Sequence, residues 1–316
     1  MRVIAITGAT GFIGEHLLNQ LVRRKGIELR VLIHEKTNKN IMSRSNIKTI
    51  EGDLLKFETI KELIVPGCTV INLVYLKECS KQENLCAIAN LVEVCAKAKI
   101  KKFIHCSTAS VAGRVSSETI DENTVCNPWD EYENNKLAIE ELLLEKYGGL
   151  FEVAILRPTA VFGAGGLNLM KLANELYSGS RFVNYLKSCL FGSRTMNLVC
   201  VENVASAIVF LISSSKPFDN EVFIISDDKF SKNNYRYVAD YLLKRMKLGG
   251  YIFPIKHLPS YFFTIFLRLM GKSNINPKRI YNSTKLENLG WERTAGFDQC
   301  LDSFTDWYLK ERSANQ

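Results

Sequence analysis

Two side chains set four residues apart open the chemical reading of this chain: Tyr132 and Lys136 in "YENNK". On a helix, that spacing puts both on one face. An ammonium near a phenol favours the phenolate, and a phenol tuned in this way takes or gives a proton. Tyr and Lys at this spacing also occur on many solvated helices, so the pair gains meaning from what precedes it. That is "FIHCSTASVAG", Phe103 to Gly113, an apolar run ending in the hydroxyls Ser107, Thr108 and Ser110. A hydroxyl at a strand end can bond a substrate oxygen, or it can merely cap a turn. The third feature is "TGATGFIG", in which Gly8, Gly11 and Gly14 recur every third residue directly after "RVIAI". Glycines between a strand and a helix allow a tight turn and the close approach of a pyrophosphate, with the helix N-terminus facing its charge.

These groups need a scaffold, and the chain alternates strand and helix signals. "RVIAIT", "ELRVLIH", "CTVINLV", "KKFIHCST" and "FEVAILRP" read as buried strands. "IGEHLLNQLVRR", a short "TIKELI", "NLCAIANLVEVCAKAK" and "WDEYENNKLAIEELLLEKY" read as helices. Fully apolar strands alternating with helices predict an α/β fold, a Rossmann-type doubly wound parallel sheet. Beyond about residue 166 the pattern loosens: "NLMKLANEL" and "ENVASAIVFLI" look helical and "EVFIIS" looks like a strand. The expected organisation is a dinucleotide-binding domain at residues 1–165, with 195–225 returning to it. A smaller C-terminal substrate-binding lobe would take 166–194 and 226–316.

Composition excludes other classes. The 316 residues are 47% apolar and 23% charged with a net charge of +8, ordinary for a globular protein with a large core. No Lys/Arg block points to nucleic acid. Nine cysteines lie scattered without CxxC pairs, and most read as reduced core residues of a cytosolic protein; four histidines show no metal-ligand spacing, so no metal is expected. "MRVIAITG" enters a strand directly, so no signal peptide is expected to precede it.

Taken together, TGATGFIG, the hydroxyl-rich strand end, YxxxK and "LRPTAVFGAGG" resemble the extended short-chain dehydrogenase/reductase superfamily, and within it the nucleotide-sugar epimerases, dehydratases and 4-ketoreductases. The resemblance runs from residue 2 to about 302 and includes "GDL" at 52–54, "VENVASAI" at 201–208 and "LENLGW" at 286–291. It implies Tyr132 as acid/base, Lys136 as the residue that tunes it and holds the nicotinamide ribose, and Thr108 as the catalytic hydroxyl. Gly8, Gly11, Phe12, Ile13 and Gly14 would cradle the pyrophosphate. His34, Lys36, Asp53, Leu54 and Val74 would line the rest of the cofactor site. Ser110, Asn168, Arg194 and Arg279 would touch the substrate. The implied cofactor is NAD or NADP, and the substrate a nucleotide-activated or lipid-linked sugar. The chain is expected to form a homodimer in the cytoplasm.

Departures from the pattern matter. His34 stands where NAD-preferring members carry an acidic residue, with Lys36 and Lys39 following; this leans to NADP, while Glu35 argues the other way. Val74 and Tyr75 replace the usual small residues, so Tyr75 would pack over the cofactor or narrow the entrance. Met196 replaces a diphosphate-binding arginine that Arg194 could supply. Thr108 is followed by Ala109 and Ser110, not the acid pair of 4,6-dehydratases, which leaves simple hydride chemistry: epimerisation or ketone reduction. A reductase of a non-sugar carbonyl and a non-catalytic dinucleotide sensor are the alternatives, though a sensor has no need of Thr108, Tyr132 and Lys136 together. "YIFPIKHLPSYFFTIFLRLMGK", Tyr251 to Lys272, is too broken for a transmembrane helix, which needs about 20 apolar residues. It either packs on the protein or, through 251–270, touches the inner face of a membrane as a peripheral patch.

Overall fold

The computed structural model describes residues 2–34, 46–217, 220–251, 253–254, 269 and 276–314. In chain order the elements begin with β1 (Arg2–Thr7), α1 (Phe12–Leu21), β2 (Ile27–Ile33), β3 (Ile47–Glu51) and β4 (Thr69–Asn72). Then come α2 (Lys81–Lys97), β5 (Lys102–Cys106), β6 (Thr119–Ile120), α3 (Glu131–Leu142), β7 (Glu152–Pro158) and β8 (Ala160–Phe162). The remainder is α4 (Met170–Ser178), α5 (Arg181–Phe191), β9 (Leu198–Cys200), α6 (Val201–Ser213), β10 (Glu221–Ile225), α7 (Tyr235–Arg245), β11 (Ile280–Tyr281), α8 (Thr284–Asn288) and α9 (Phe297–Ala314).

Seven strands form one sheet in the order β10-β7-β5-β4-β1-β2-β3, with parallel ladders from β7 through to β3. The apolar strands dictate this arrangement: Ile4, Ile6, Leu29, Val31, Val70, Ile71, Phe103 and Ile155 are buried, as residues of a sheet covered on both faces must be. The chain winds outward from β1 in one direction and then from β4 in the other. The order therefore reverses between β1 and β4, whose carboxyl ends are where such sheets bind ligands. Ser80 fastens the start of α2 with a capping box to Glu83.

The chain folds into two compact units. One comprises Met1–Val111, Asp130–Arg157 and Ala205–Phe223; the other comprises Ala112–Trp129, Pro158–Val204 and Ile224–Gln316. The first holds the sheet. The second is built round Phe162, Leu172, Leu176, Val238, Leu242, Leu301 and Phe304, beside two small parallel pairs, β8 with β9 and β6 with β11.

Three local differences from the sequence reading have physical causes. "TIKELI" does not form its expected helix: a 3-10 turn spans Phe57–Ile60, where the Thr59 hydroxyl bonds the carbonyls of Asp53 and Lys56. The edge strand β3 carries no strand signal in the sequence, because IKTIE buries only Ile50 and shows no apolar run. Cys200 and Cys300 pair in a disulfide that sequence spacing did not show; the other seven are free, in line with the expectation that most cysteines stay reduced.

Candidate active site

Two elements of the first unit carry the candidate acid/base group. Strand β5 ends at Cys106, and the Ser107 amide extends its ladder by bonding the Leu156 carbonyl at 2.8 Å. Thr108 is the first residue beyond. Helix α3 starts sharply because Asp130 caps it, its Oδ1 accepting the Glu133 amide at 2.8 Å. Tyr132 and Lys136 then follow on one face.

Thr108 bonds the Tyr132 phenol, and its Oγ1 lies 3.0 Å from Ser110 Oγ. Lys136 is buried and its Nζ donates to the Cys106 carbonyl at 3.1 Å. Burial lowers the ammonium's pKa, against the opposing pull of Cys106 and Glu140. Tyr132 is 40% exposed, yet loss of hydration at its hydroxyl pushes its pKa up to about 12, with the Thr108 bond pulling the other way. The expected lowering of this phenol by Lys136 is not seen: burial raises the phenol and the Thr108 bond is what opposes it. Tyr75 stands edge-on to Tyr132, ring centroids 5.0 Å apart; its ring lies 5.1 Å from Lys136 Nζ, and its hydroxyl accepts from Asn135 at 3.3 Å.

Beneath this cluster Ser107, one of the three strand-end hydroxyls, meets two groups that the sequence reading did not single out, Glu140 and Arg157. Ser107 donates to Glu140, and Arg157 pairs with the same carboxylate, all three buried. Glu140 is one turn beyond Lys136 on the helix, so spacing alone could have found it. A second row crosses the switch point. Thr7 Oγ1 donates to Asn72 Oδ1 at 2.6 Å, and Asn72 Nδ2 donates to His105 Nδ1 at 3.0 Å. Burial holds His105 well below the usual imidazole range, so it is neutral, and its Nε2 has no partner among the described residues.

The glycine turn passes a test of fit for a pyrophosphate. Gly8 adopts φ +76°, a backbone that side chains rarely tolerate. A Cβ on Gly14 would lie 2.3 Å from the Gly8 carbonyl oxygen, so the helix packs against the turn only because that atom is missing. Gly11 is the N-cap of α1 and no side chain caps it; the turn thus presents backbone N–H groups of Phe12, Ile13 and Gly14 to an anion. The Val74 side chain lies against Gly8. Asp53 Oδ1 accepts the Leu55 amide at 2.9 Å, and its Oδ2 lies 4.0 Å from His34 Nε2. Leu54 is buried. Lys36 and Lys39 lie outside the described residues.

The remaining predicted residues belong to the second unit. Asn168 Nδ2 donates to the Val161 carbonyl at 2.6 Å. Arg194 is half-buried, and loss of hydration lowers its pKa. Arg279 is only 1% exposed; its guanidinium bonds the carbonyls of Gly113 and Val115 at 2.7 and 2.6 Å. In this unit a cavity of about 470 Å³ is lined by Thr195, Asp228, Asn233, Asn234 and Arg236 among others. Burial pushes Asp228 up to about 6.

A doubly wound sheet with a glycine turn at β1 and a Tyr–Lys helix beside β5 defines a dinucleotide-dependent enzyme. Residues 4–226 match the model of the NAD dependent epimerase/dehydratase family, and the chain belongs to that family. It is similar to a UDP-glucose 4-epimerase of Vibrio cholerae, 27% identical over 96% of this chain and 95% of that one. Its fold matches the UDP-glucuronic acid 4-epimerase of Bacillus cereus in complex with NAD, with a TM-score of 0.75 and 19% identity over 99% of this chain and 98% of that one. It also matches the dTDP-glucose 4,6-dehydratase of Bacillus anthracis in complex with NAD, with a TM-score of 0.74 and 19% identity over the same shares. Epimerase and dehydratase fit equally well, so fold does not choose between their chemistries.

Proposed function

We propose that this enzyme is an epimerase or 4-ketoreductase acting at a carbinol or ketone of a nucleotide-activated sugar, with Tyr132 as its acid/base. The supporting observation is the cluster of Thr108, Tyr132 and Lys136 at the end of β5. NAD, when bound, takes up and returns the hydride. Thr108 and Tyr132 hold the sugar oxygen by hydrogen bonds, and Tyr132 moves its hydroxyl proton. Lys136 supplies the positive charge that a phenolate needs. Ala109 and Ser110 follow Thr108 where a dehydratase would carry two acids, which favours a reaction without loss of water.

The cofactor we assign is NAD. The case for NADP rests on His34, together with Lys36 outside the described residues. The Asp53 carboxylate 4.0 Å from His34 would repel a 2′-phosphate held there. In the second unit, Arg194 and the polar cavity with Arg236 favour a nucleoside diphosphate moiety. Arg279, engaged with two backbone carbonyls, would act by holding the segment from Gly113 to Val115. The experiment is incubation with NAD and a panel of UDP- and dTDP-hexoses, followed by mass spectrometry. An epimer of unchanged mass, or with added reduced cofactor a product two hydrogens heavier, supports the proposal. A product lighter by one water overturns it. Light scattering on the same preparation reads the expected homodimer.

A second reading, a lipid-linked sugar handled at a membrane surface, is favoured by one observation. Helix α5 is turned inside out: Asn184 and Ser188 are buried, while Phe182, Val183 and Leu186 are 68, 46 and 49% exposed. Phe253 and Leu269 are exposed too, while the other apolar residues of 251–270 lie outside the described residues, Tyr251 excepted. No helix among the described residues is long and apolar enough to cross a membrane. Co-sedimentation with anionic liposomes that is lost in the Phe182→Asp, Leu186→Asp variant would support surface binding; no co-sedimentation of the parent would refute it.

A further inference from the structure

Cys200 ends β9 and Cys300 lies in the first turn of α9, within the second unit. The fold brings them together from a sequence separation of 100, with Cα atoms 6.0 Å apart and the sulfurs bonded. Both side chains are buried. Glu202 Oε2 lies 2.9 Å from Cys200 Sγ and 3.9 Å from Cys300 Sγ. Two sulfurs within bonding reach, with a carboxylate against both, form a group equipped for proton and electron transfer, and none of the three takes part in the chemistry assigned to Tyr132.

We propose that Cys200 and Cys300 are a reversible oxidation site, closed by a hydroperoxide and opened by a dithiol, with Glu202 as the proton acceptor. Both sulfurs are buried, so oxidant and dithiol alike reach them through local opening of the fold, which favours the smallest oxidant, a peroxide. Glu202 takes the Cys200 thiol proton. The thiolate attacks one peroxide oxygen, the O–O bond breaks, and the departing hydroxide takes the proton from Glu202 to leave as water. Cys200 is then a sulfenic acid. The Cys300 sulfur attacks that sulfur, the S–O bond breaks, the S–S bond forms, and the departing hydroxide takes the thiol proton as a second water. Two thiols are oxidised and one peroxide is reduced to two waters. The bond joins β9 to α9 across the cluster that contains Phe162 and Phe297, whose rings are 5.4 Å apart. Closing so long a loop restricts the unfolded chain, so oxidation raises Tm by about 5 °C or more.

The test uses the full chain, fully reduced and then treated with dilute hydrogen peroxide. After denaturation, thiol titration should fall from nine to seven, since nine cysteines are present and two pair. Peptide mapping should find Cys200 linked to Cys300, and dithiothreitol should restore all nine thiols. Glu202→Gln should reach the same end point at least tenfold more slowly at neutral pH. The parent protein alone decides the pairing, so a misfolded cysteine variant would not cloud the result. Nine thiols remaining, cross-links elsewhere, or a bond that dithiothreitol cannot open would overturn the proposal. So would one zinc ion bound per reduced chain that blocks oxidation, because the cluster would then be a metal site.

Discussion

Arg157 grips Glu140 with its guanidinium edge, Nε bonding Oε1 and Oε2 at 3.1 and 3.0 Å and Nη2 bonding Oε2 at 2.6 Å. The same carboxylate accepts the Ser107 hydroxyl. Ser107 adjoins Thr108, and Glu140 lies on the helix face that carries Tyr132 and Lys136. One buried carboxylate thus ties together the strand end and the helix that carry the proposed acid/base cluster. Removing one partner of such a pair strands a buried charge. Glu140→Gln should destabilise the fold by about 3 kcal/mol. The Glu140→Gln, Arg157→Met double variant should lose less than the sum of the two single changes. Urea unfolding of all four proteins measures this; strict additivity would show that the pair is not coupled.

The glycine turn can be tested in the same way. Gly14→Ala places a Cβ 2.3 Å from the Gly8 carbonyl oxygen, so turn and helix must separate. NAD affinity by calorimetry should fall at least tenfold, about 1.4 kcal/mol. Gly26→Ala, at positive φ but with open space round it, should leave NAD affinity unchanged. Equal losses in both would show that the turn is not the cofactor cradle.

Much of this was legible in the sequence. TGATGFIG and the apolar strands pointed to the tight glycine turn and the central sheet because glycine conformational freedom and strand burial are local properties. The shared helix face of Tyr132 and Lys136 was legible from periodicity; the strand end offered Ser107, Thr108 and Ser110, and the family resemblance chose Thr108 among them. The Glu140–Arg157 pair was not, because Arg157 reaches it from β7, a neighbour that only the sheet order supplies. The Cys200–Cys300 bond was hidden for the same reason, its partners being 100 residues apart. Arg279 was expected to touch the substrate; only the fold shows it buried against backbone carbonyls.

His105 should make stability depend on pH. Its folded pKa lies well below the ordinary imidazole value of 6.5 because of burial and the nearby Lys136. Below 6.5 the unfolded chain binds a proton that the folded chain refuses, so stability is lost as pH falls. From about pH 7.5 to about pH 5.5 this group should cost about 1.4 kcal/mol. Urea unfolding at the two pH values, compared with His105→Gln, isolates it; an identical pH dependence in both proteins would refute the assignment.

The Tyr132 phenol, pushed up to about 12 by burial, should remain protonated in the cofactor-free protein at neutral pH. The difference absorbance between the parent and Tyr132→Phe should then show no phenolate below about pH 10. A phenolate signal near neutral pH would mean that Lys136 outweighs burial after all.

Everything proposed for the reaction turns on Tyr132 moving the proton when hydride moves. Single-turnover kinetics read that step alone: enzyme in excess over a nucleotide hexose that the panel shows to be turned over, with NAD bound, followed by the absorbance of the reduced nicotinamide and by product mass. Tyr132→Phe should bind NAD as the parent does and slow the step by at least about 10²-fold, the scale of a positioned acid/base group. A variant that turns over at nearly the parent rate would contradict the role given to Tyr132.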